Sequence, residues 1–291
     1  MAMQIRHDNT SFGDPIFMRI LVAGATGFLG RYMIQALSRQ GHTIVSLHSG
    51  RTAISSEWAK YISNDILYDI NSTLQPPEQA MSVDAVAFLS WPGLPNYREF
   101  YHFECNLFAS YRFIQSLVHF GVKHILVTGT CLEYGMRNGA MHAHLYAKPM
   151  VPYAIAKDSL HKFLRILQNK YSFTLQWTRL FYLYGFGQHP NSLLSQLEKA
   201  IADGAACFKM SPGDQLRDFI SVVDAAQQIS VLLSHPECDG IFNVCSGQPI
   251  SVRSFVEAHM KRLNKIMPLE LGVYSYNDYE PMAFWGIPNI I

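Results

Sequence analysis

The sequence predicts an α/β fold: a doubly wound parallel sheet with a smaller lobe formed by the C-terminal part of the chain. Three observations predict it. Short, continuously apolar, β-rich runs alternate with helical patterns, as a parallel sheet covered by helices on both faces requires. A glycine pattern, Gly24-Ala25-Thr26-Gly27-Phe28-Leu29-Gly30, stands between the first such run and the first helix. The length of 291 residues suits one large α/β unit or a domain with an appended lobe, and is short for two independent domains.

Residues 1–17 are polar and aperiodic, with Gly13 and Pro15 as breakers, and read as an ill-ordered extension or alternative start ahead of Met18. The pattern then gives a strand over Ile20 to Ala23, a helix over Phe28 to Gln40 closed by Gly41, and a strand over Thr43 to Leu47. Further strands are expected at Ala85 to Leu89, Ile125 to Thr128 and Thr174 to Thr178, and a helix from Pro152 to about Asn169. Beyond about Gly185 the texture changes to a Gly-, Pro- and Asn-containing loop, a helix around Ser192 to Ala202, short mixed elements and a Tyr/Pro-rich tail. This divides the chain into 18–184, the main sheet, and 185–291, mainly the smaller lobe, with room for a return to the sheet near 215–245. No internal repeat is visible.

Composition excludes several classes of function. With 23 basic and 22 acidic residues the formal charge is +1, and no basic run interleaved with aromatics suggests a nucleic-acid groove. The longest apolar stretches fall far below the ~20 residues of a membrane span, and the N-terminus lacks the order of a signal peptide. A cytoplasmic protein is expected. Five cysteines without a C-x-x-C spacing and twelve histidines without an H-E-x-x-H pair predict neither a disulfide framework nor a metal site. Each cysteine reads as a small buried hydrophobe.

Gly24 permits a tight turn after the strand, Gly27 lets backbone amides approach a pyrophosphate at the helix N-terminus, and Gly30 permits close helix-to-strand packing. Tyr153 and Lys157 lie four apart in a helical stretch, so an ammonium stands on the same face as a phenol. A phenol of pKa ~10 is a poor acid-base group at neutral pH, and a neighbouring cation lowers that value. Thr130 sits just beyond the strand Ile125 to Thr128, at the carboxyl edge where open α/β sheets bind ligands, and its hydroxyl can donate to a substrate oxygen.

The G-x-x-G-x-x-G spacing together with Tyr153-Ala154-Ile155-Ala156-Lys157 resembles the extended short-chain dehydrogenase/reductases, the NAD(P)-dependent epimerase/dehydratase family. The resemblance runs from about Met18 to Trp285 and implies a Rossmann-type sheet with a smaller C-terminal substrate-binding lobe. It also implies a catalytic group of Thr130, Tyr153 and Lys157, and a cofactor loop comprising Gly24, Thr26, Gly27, Phe28, Leu29 and Gly30. Asp65 and Ile66, expected after the third strand, would meet the adenine; Leu89, Ser90 and Trp91 follow the fourth strand on the cofactor's path. Where an acidic residue would select NAD at the end of the second strand, this sequence has His48, followed by Ser49 and Arg51, which favours NADP over NAD.

For the substrate, the resemblance implies a nucleotide-diphosphate sugar held by Arg217 of Arg217-Asp218-Phe219-Ile220, with Asn191 and Ser192 opening a helix beside the nucleotide. Tyr182 departs from the asparagine common at its position. Glu280, in a tail similar to that of bacterial deoxysugar reductases of surface-polysaccharide (lipopolysaccharide) pathways, would meet the nucleotide ribose or face solvent. Glu133 would contact substrate or satisfy a buried partner. Cys131 and Leu132 stand where the 4,6-dehydratases carry Asp and Glu, which disfavours dehydration. The reading is reduction of a 4-keto-6-deoxyhexose; its rivals are a 4-epimerase with retained NAD and a non-catalytic cofactor-sensing protein. A homodimer is implied, through the helix bearing Tyr153 and the one over about 97–120.

Overall fold

The computed structural model describes residues 17–72 and 75–290. The extension expected over residues 1–17 lies, except for Phe17, outside the described residues. Strands β1 (Arg19–Ala23), β2 (Thr43–His48), β3 (Asn64–Leu67), β4 (Ala85–Phe88) and β5 (His124–Thr130) belong to one seven-stranded sheet. The short strand β6 (Gly139–Met141) leaves it, β7 (Thr174–Leu180) returns, and β8 (Tyr182–Tyr184), β9 (Phe208–Lys209) and β10 (Leu216–Ser221) lie outside it. Strand β11 (Gly240–Val244) joins the large sheet again, beside β7.

The order β11-β7-β5-β4-β1-β2-β3 is parallel throughout and reverses direction between β1 and β4. That reversal opens a crevice at the carboxyl ends of β1 and β4, the place where such sheets take ligands. The central strands β1, β4 and β5 are buried on both faces, which explains their apolar runs: β4 reads AVAF and every residue is buried, whereas the edge strand β3, NDIL, exposes Asp65 and Leu67. Helix α1 (Phe28–Arg39) and helix α7 (Val222–Leu233) cover one face with Met33, Ile34, Leu37, Ile229 and Leu232. Short helices α2 (Ser56–Ala59) and α3 (Glu78–Met81) sit in the connections, and α4 (Leu107–His119) and α5 (Pro152–Lys170) cover the other face.

Two departures from the sequence reading concern the site. Asp65 and Ile66 lie within β3, not after it, and Ile66 is buried in the core. Past the carboxyl end of β3 come Tyr68, Asp69 and Ile70, of which Ile70 is buried as well. Of the cysteines, Cys131 and Cys245 are buried as expected but Cys105 is exposed, because it faces outward from a π-helical turn, His102–Asn106, ahead of α4.

The second sheet has the order β12-β10-β14-β6, using β12 (Pro249–Ser251) and β14 (Ala283–Gly286), with β8 added to β10. Its members β6 and β8 leave the carboxyl ends of β5 and β7, so this sheet rises beside the crevice. Helix α6 (Leu193–Ala202), helix α8 (Val252–Arg262) and the pair β9 with β13 (Leu269–Glu270) complete it around Leu194, Leu197, Val256 and Met260.

Candidate active site

At the end of β1 the chain turns at Gly24, whose φ of +92° suits glycine, and a Cβ there would lie 2.9 Å from the Ser90 nitrogen. Gly30 is closer still: a Cβ would stand 2.1 Å from the Gly24 carbonyl oxygen. The N-cap of α1 is Gly27, with no side-chain cap and no acidic residue in the first turn. The first amides of α1 have no intrahelical acceptor, and a helix start of this kind favours an anion. A cradle that any side chain would fill, opening on free amides, fits the pyrophosphate of a dinucleotide. Leu29 points into the core, so it and Gly30 offer only backbone.

His48 ends β2, with its Nε2 3.2 Å from the Asp65 carboxylate and its Nδ1 accepting from Gly50 N at 3.1 Å. Ser46 Oγ also donates to Asp65. Asp65 is thus engaged along the strand. Ser49 is exposed, and Arg51, also exposed, stands 3.6 Å from Asp69. Sequence reasoning missed Asp69 and Ile70, although an Asp-Ile pair occurs there as well as at Asp65-Ile66; strand length separates the two. Leu89 N donates to Ala23 O at 2.9 Å, which holds the Leu89-Ser90-Trp91 turn against the glycine loop.

The proposed catalytic side chains converge at the carboxyl end of β5. Thr130 ends that strand, 6% exposed, and its hydroxyl accepts from Leu132 N at 3.3 Å. Tyr153, in the first turn of α5, is ringed by Tyr97, His102 and Trp91 at centroid distances of 5.4, 5.3 and 6.0 Å. One turn on, Lys157 Nζ donates to Thr128 O at 2.6 Å and lies 4.0 Å from the Trp91 ring centroid.

Burial governs the ionisation of both groups. It pushes the Tyr153 phenol well above its usual value, with Tyr97, Glu133 and Cys131 adding to the rise and the Thr130 hydrogen bond opposing it. Burial also pulls the Lys157 amine down to about 7, against the pull of Glu133. The expectation that the ammonium lowers the phenol does not describe this state, because desolvation outweighs it. Burial thus favours the protonated phenol.

Glu133 is fully buried and does not face substrate. Its carboxylate accepts from Thr130 N at 2.8 Å, from Trp177 Nε1 at 3.1 Å and from Arg179 Nε at 2.8 Å. Burial raises its carboxyl, opposed by the Arg179 guanidinium and these N–H donors. Its role is to pin the turn that carries Thr130 onto β7. Gly129 makes room, since a Cβ there would meet Glu133 Oε1 at 2.4 Å.

Cys131 follows Thr130 in the chain and lies near Tyr182, Arg217 and Glu280. Cys131 is 4% exposed and burial pushes its thiol far up, so it is neither an acid nor a base at neutral pH. Tyr182 donates to Glu280 Oε1 at 2.7 Å, and Asn277 Nδ2 donates to Oε2 at 2.9 Å. Arg217 is 2% exposed, its NH1 bonded to Leu216 O at 2.9 Å. Its NH2 has no hydrogen-bond partner and stands 4.0 Å from Glu280. Neighbouring Asp218 accepts from Ser246 N, Gly247 N and Gly286 N and serves the fold. Asn191 is exposed and Ser192 is the N-cap of α6. Tyr97, His102 and Tyr279 were not foreseen; Tyr279 packs on Tyr97 at 6.3 Å.

Comparison with known proteins gives consistent relatives. The sequence model of the NAD dependent epimerase/dehydratase family matches residues 20–245. The dTDP-6-deoxy-L-talose 4-dehydrogenase (NAD(+)) of Aggregatibacter actinomycetemcomitans is 30% identical over 275 residues, 92% of this chain and 99% of its own. The ADP-L-glycero-D-manno-heptose-6-epimerase of Pseudomonas aeruginosa (strain UCBPP-PA14) is 26% identical over 272 residues, 86% of this chain and 78% of its own. Among solved structures, the UDP-glucuronic acid 4-epimerase of Bacillus cereus with UDP-glucuronic acid and NAD superposes with a TM-score of 0.78 at 20% identity, covering 93% and 90% of the two chains. MoeE5 with UDP-glucuronic acid and NAD gives 0.76 at 23% identity, over 92% and 90%. This chain belongs to the NAD dependent epimerase/dehydratase family and is an enzyme of the extended short-chain dehydrogenase/reductase type.

Proposed function

We propose that the enzyme reduces the 4-keto group of a nucleotide-diphosphate-linked 6-deoxyhexose, in the supply of surface-polysaccharide precursors. The observation that carries this reading is the company of Thr130: a protonated phenol stands beside it, while the positions that would supply an acid and a base for elimination hold the buried thiol of Cys131 and the alkyl chain of Leu132. A 4-dehydrogenase of a 6-deoxyhexose nucleotide as the relative at 30% identity supports it.

A bound nicotinamide dinucleotide supplies the hydride for the carbonyl carbon. Thr130 orients the carbonyl oxygen with its hydroxyl and Tyr153 gives that oxygen its proton. Lys157 holds the nicotinamide ribose and stabilises the phenolate that forms. Gly24, Thr26, Gly27 and Phe28, with the first amides of α1, hold the pyrophosphate, and Asp69 and Ile70 border the adenine in place of Asp65 and Ile66. Arg217 takes the sugar-nucleotide diphosphate with its unpartnered NH2, and Tyr182 and Glu280 border the nucleotide.

The preference for NADP rests on His48 and Arg51, and each stands beside a carboxylate, Asp65 and Asp69. A paired guanidinium is a weak reason to prefer a 2′-phosphate, and both solved neighbours named above hold NAD. We adopt NAD. The homodimer expected from the sequence is supported by Phe108, Ile155, Phe163 and Ile166, which are exposed on α4 and α5. No helix among the described residues is long and apolar enough to cross a membrane.

The test is incubation with a panel of nucleotide-linked 4-ketosugars and NADH, followed by mass spectrometry. Net gain of two hydrogens supports the reductase. Incubation with the corresponding 4-hydroxy sugar nucleotides, the 4-epimers resolved by chromatography, is the second arm: their interconversion without net cofactor turnover would establish the epimerase instead.

A further inference from the structure

We propose that Trp91, fixed by His102, is a positioning residue for the reaction: its indole face keeps the Lys157 amine protonated and seated against the Thr128 carbonyl. The inference rests on the reading of Tyr153 and Lys157 as the catalytic pair. Lys157 is 1% exposed, and the Thr128 carbonyl at 2.6 Å takes one of its three donors. The Trp91 ring, 4.0 Å from Nζ to its centroid, offers the buried charge a π-face.

The indole is locked from its far side. Its Nε1 donates to His102 Nδ1 at 3.0 Å, so Nδ1 must be the acceptor and Nε2 carries the proton, which it donates to Asn96 O at 3.0 Å. Asn106 Nδ2 donates to Pro92 O at 2.9 Å and tethers the Trp91 turn to the same helical segment. His102 is completely buried, and burial lowers its pKa, with Lys157 also opposing its charge. A neutral His102 is the form that can accept from the indole.

The other ionisable groups facing Lys157 are few. Glu133, from the turn after β5, favours the charged amine; Tyr153, on α5 itself, is protonated; His102, across the indole, is neutral. Burial draws the Lys157 amine down to about 7, so a buried partner for the ammonium bears on its protonation near neutral pH. There the attraction of the indole face for the ammonium decides how much of the enzyme carries the charged amine.

The experiment follows the Lys157 titration by NMR in the intact, cofactor-free protein with labelled lysine, assigned by Lys157→Met, alongside the pH profile of kcat/KM for reduction. Trp91→Leu is expected to lower both the titration midpoint and the alkaline limb by about 0.5 to 1.5 pH units. Trp91→Phe, which keeps a ring, should shift them less; His102→Ala should shift them in the same direction, and His102→Asn, which keeps an acceptor for the indole, should restore them. A Trp91→Leu protein that folds and titrates like wild type overturns the inference. If that variant does not fold, Trp91→Phe and the two His102 variants decide by the same criterion. Wild-type turnover in Lys157→Met would overturn instead the reading of the catalytic pair, and the titration would still be decided separately.

Discussion

Replacing Glu133 by alanine tests how Thr130, the proposed catalytic threonine, is held. Glu133 is fully buried and Arg179 is 2% exposed, so the substitution strands a guanidinium inside the protein and removes the acceptor of Thr130 N and Trp177 Nε1. Breaking a buried pair from one side costs about 3 to 5 kcal/mol. Removing both charges should cost much less, because well-packed apolar side chains avoid the desolvation penalty. Glu133→Leu combined with Arg179→Met is therefore expected to recover most of the loss. Urea unfolding midpoints of Glu133→Leu, Arg179→Met and the double variant, at unchanged m, give the cycle, with Glu133→Ala measured beside them. Turnover should fall in Glu133→Ala as the Thr130 turn loosens. A loss below about 1 kcal/mol in the alanine variant, or a double variant as unstable as the sum of the singles, would refute the reasoning.

Further outcomes follow from the same geometry. Tyr153→Phe should lower kcat by about 10²- to 10⁴-fold with cofactor affinity nearly unchanged in calorimetry, whereas Lys157→Met should weaken both; a Tyr153→Phe enzyme of wild-type turnover would show the acid lies elsewhere. NADH should bind at least as tightly as NADPH, and Arg51→Ala should leave the ratio unmoved; a calorimetric preference for NADPH that Arg51→Ala abolishes would restore the guanidinium as a phosphate site. His161 packs on Trp177, and burial draws its pKa down to about 4, with Arg179 and Arg165 adding to the fall. The unfolded chain takes up this proton below about 6.5 while the fold refuses it, so stability should drop by about 2 to 3 kcal/mol as pH falls from 6.5 towards 4. A His161→Phe protein with the same pH dependence would contradict that. Light scattering should find a dimer at micromolar concentration and a monomer for Phe163→Glu with Ile166→Glu; wild-type monomer would count against the proposed face.

The inner strands of the sheet were legible because they are buried on both faces, and hence apolar, and because Gly24, Gly27 and Gly30 fall at a strand end and a helix start; the edge strands β3 and β11, more exposed, carry no such run. Tyr153 and Lys157 were legible through their spacing of four. What the sequence hid depends on distance across the fold. Glu133 reads equally as a substrate contact or a buried ion until Arg179 and Trp177, more than forty positions later, are seen on β7 beside it. Asp65 and Asp69 each precede an isoleucine, and only the end of β3 tells which pair lies beyond the strand. Trp91 and His102 meet through a π-helical turn that no apolar periodicity announces.

The central claim is that this site reduces a carbonyl and does not eliminate water. Purified enzyme should oxidise one reduced nicotinamide dinucleotide for each 4-keto-6-deoxyhexose nucleotide consumed, and Tyr153→Phe should abolish that reaction. With an ordinary hexose nucleotide such as dTDP-glucose or GDP-mannose it should form no 4-keto-6-deoxy product. Accumulation of that dehydrated product without net cofactor oxidation would contradict the account, because it requires an acid and a base that Cys131 and Leu132 cannot provide.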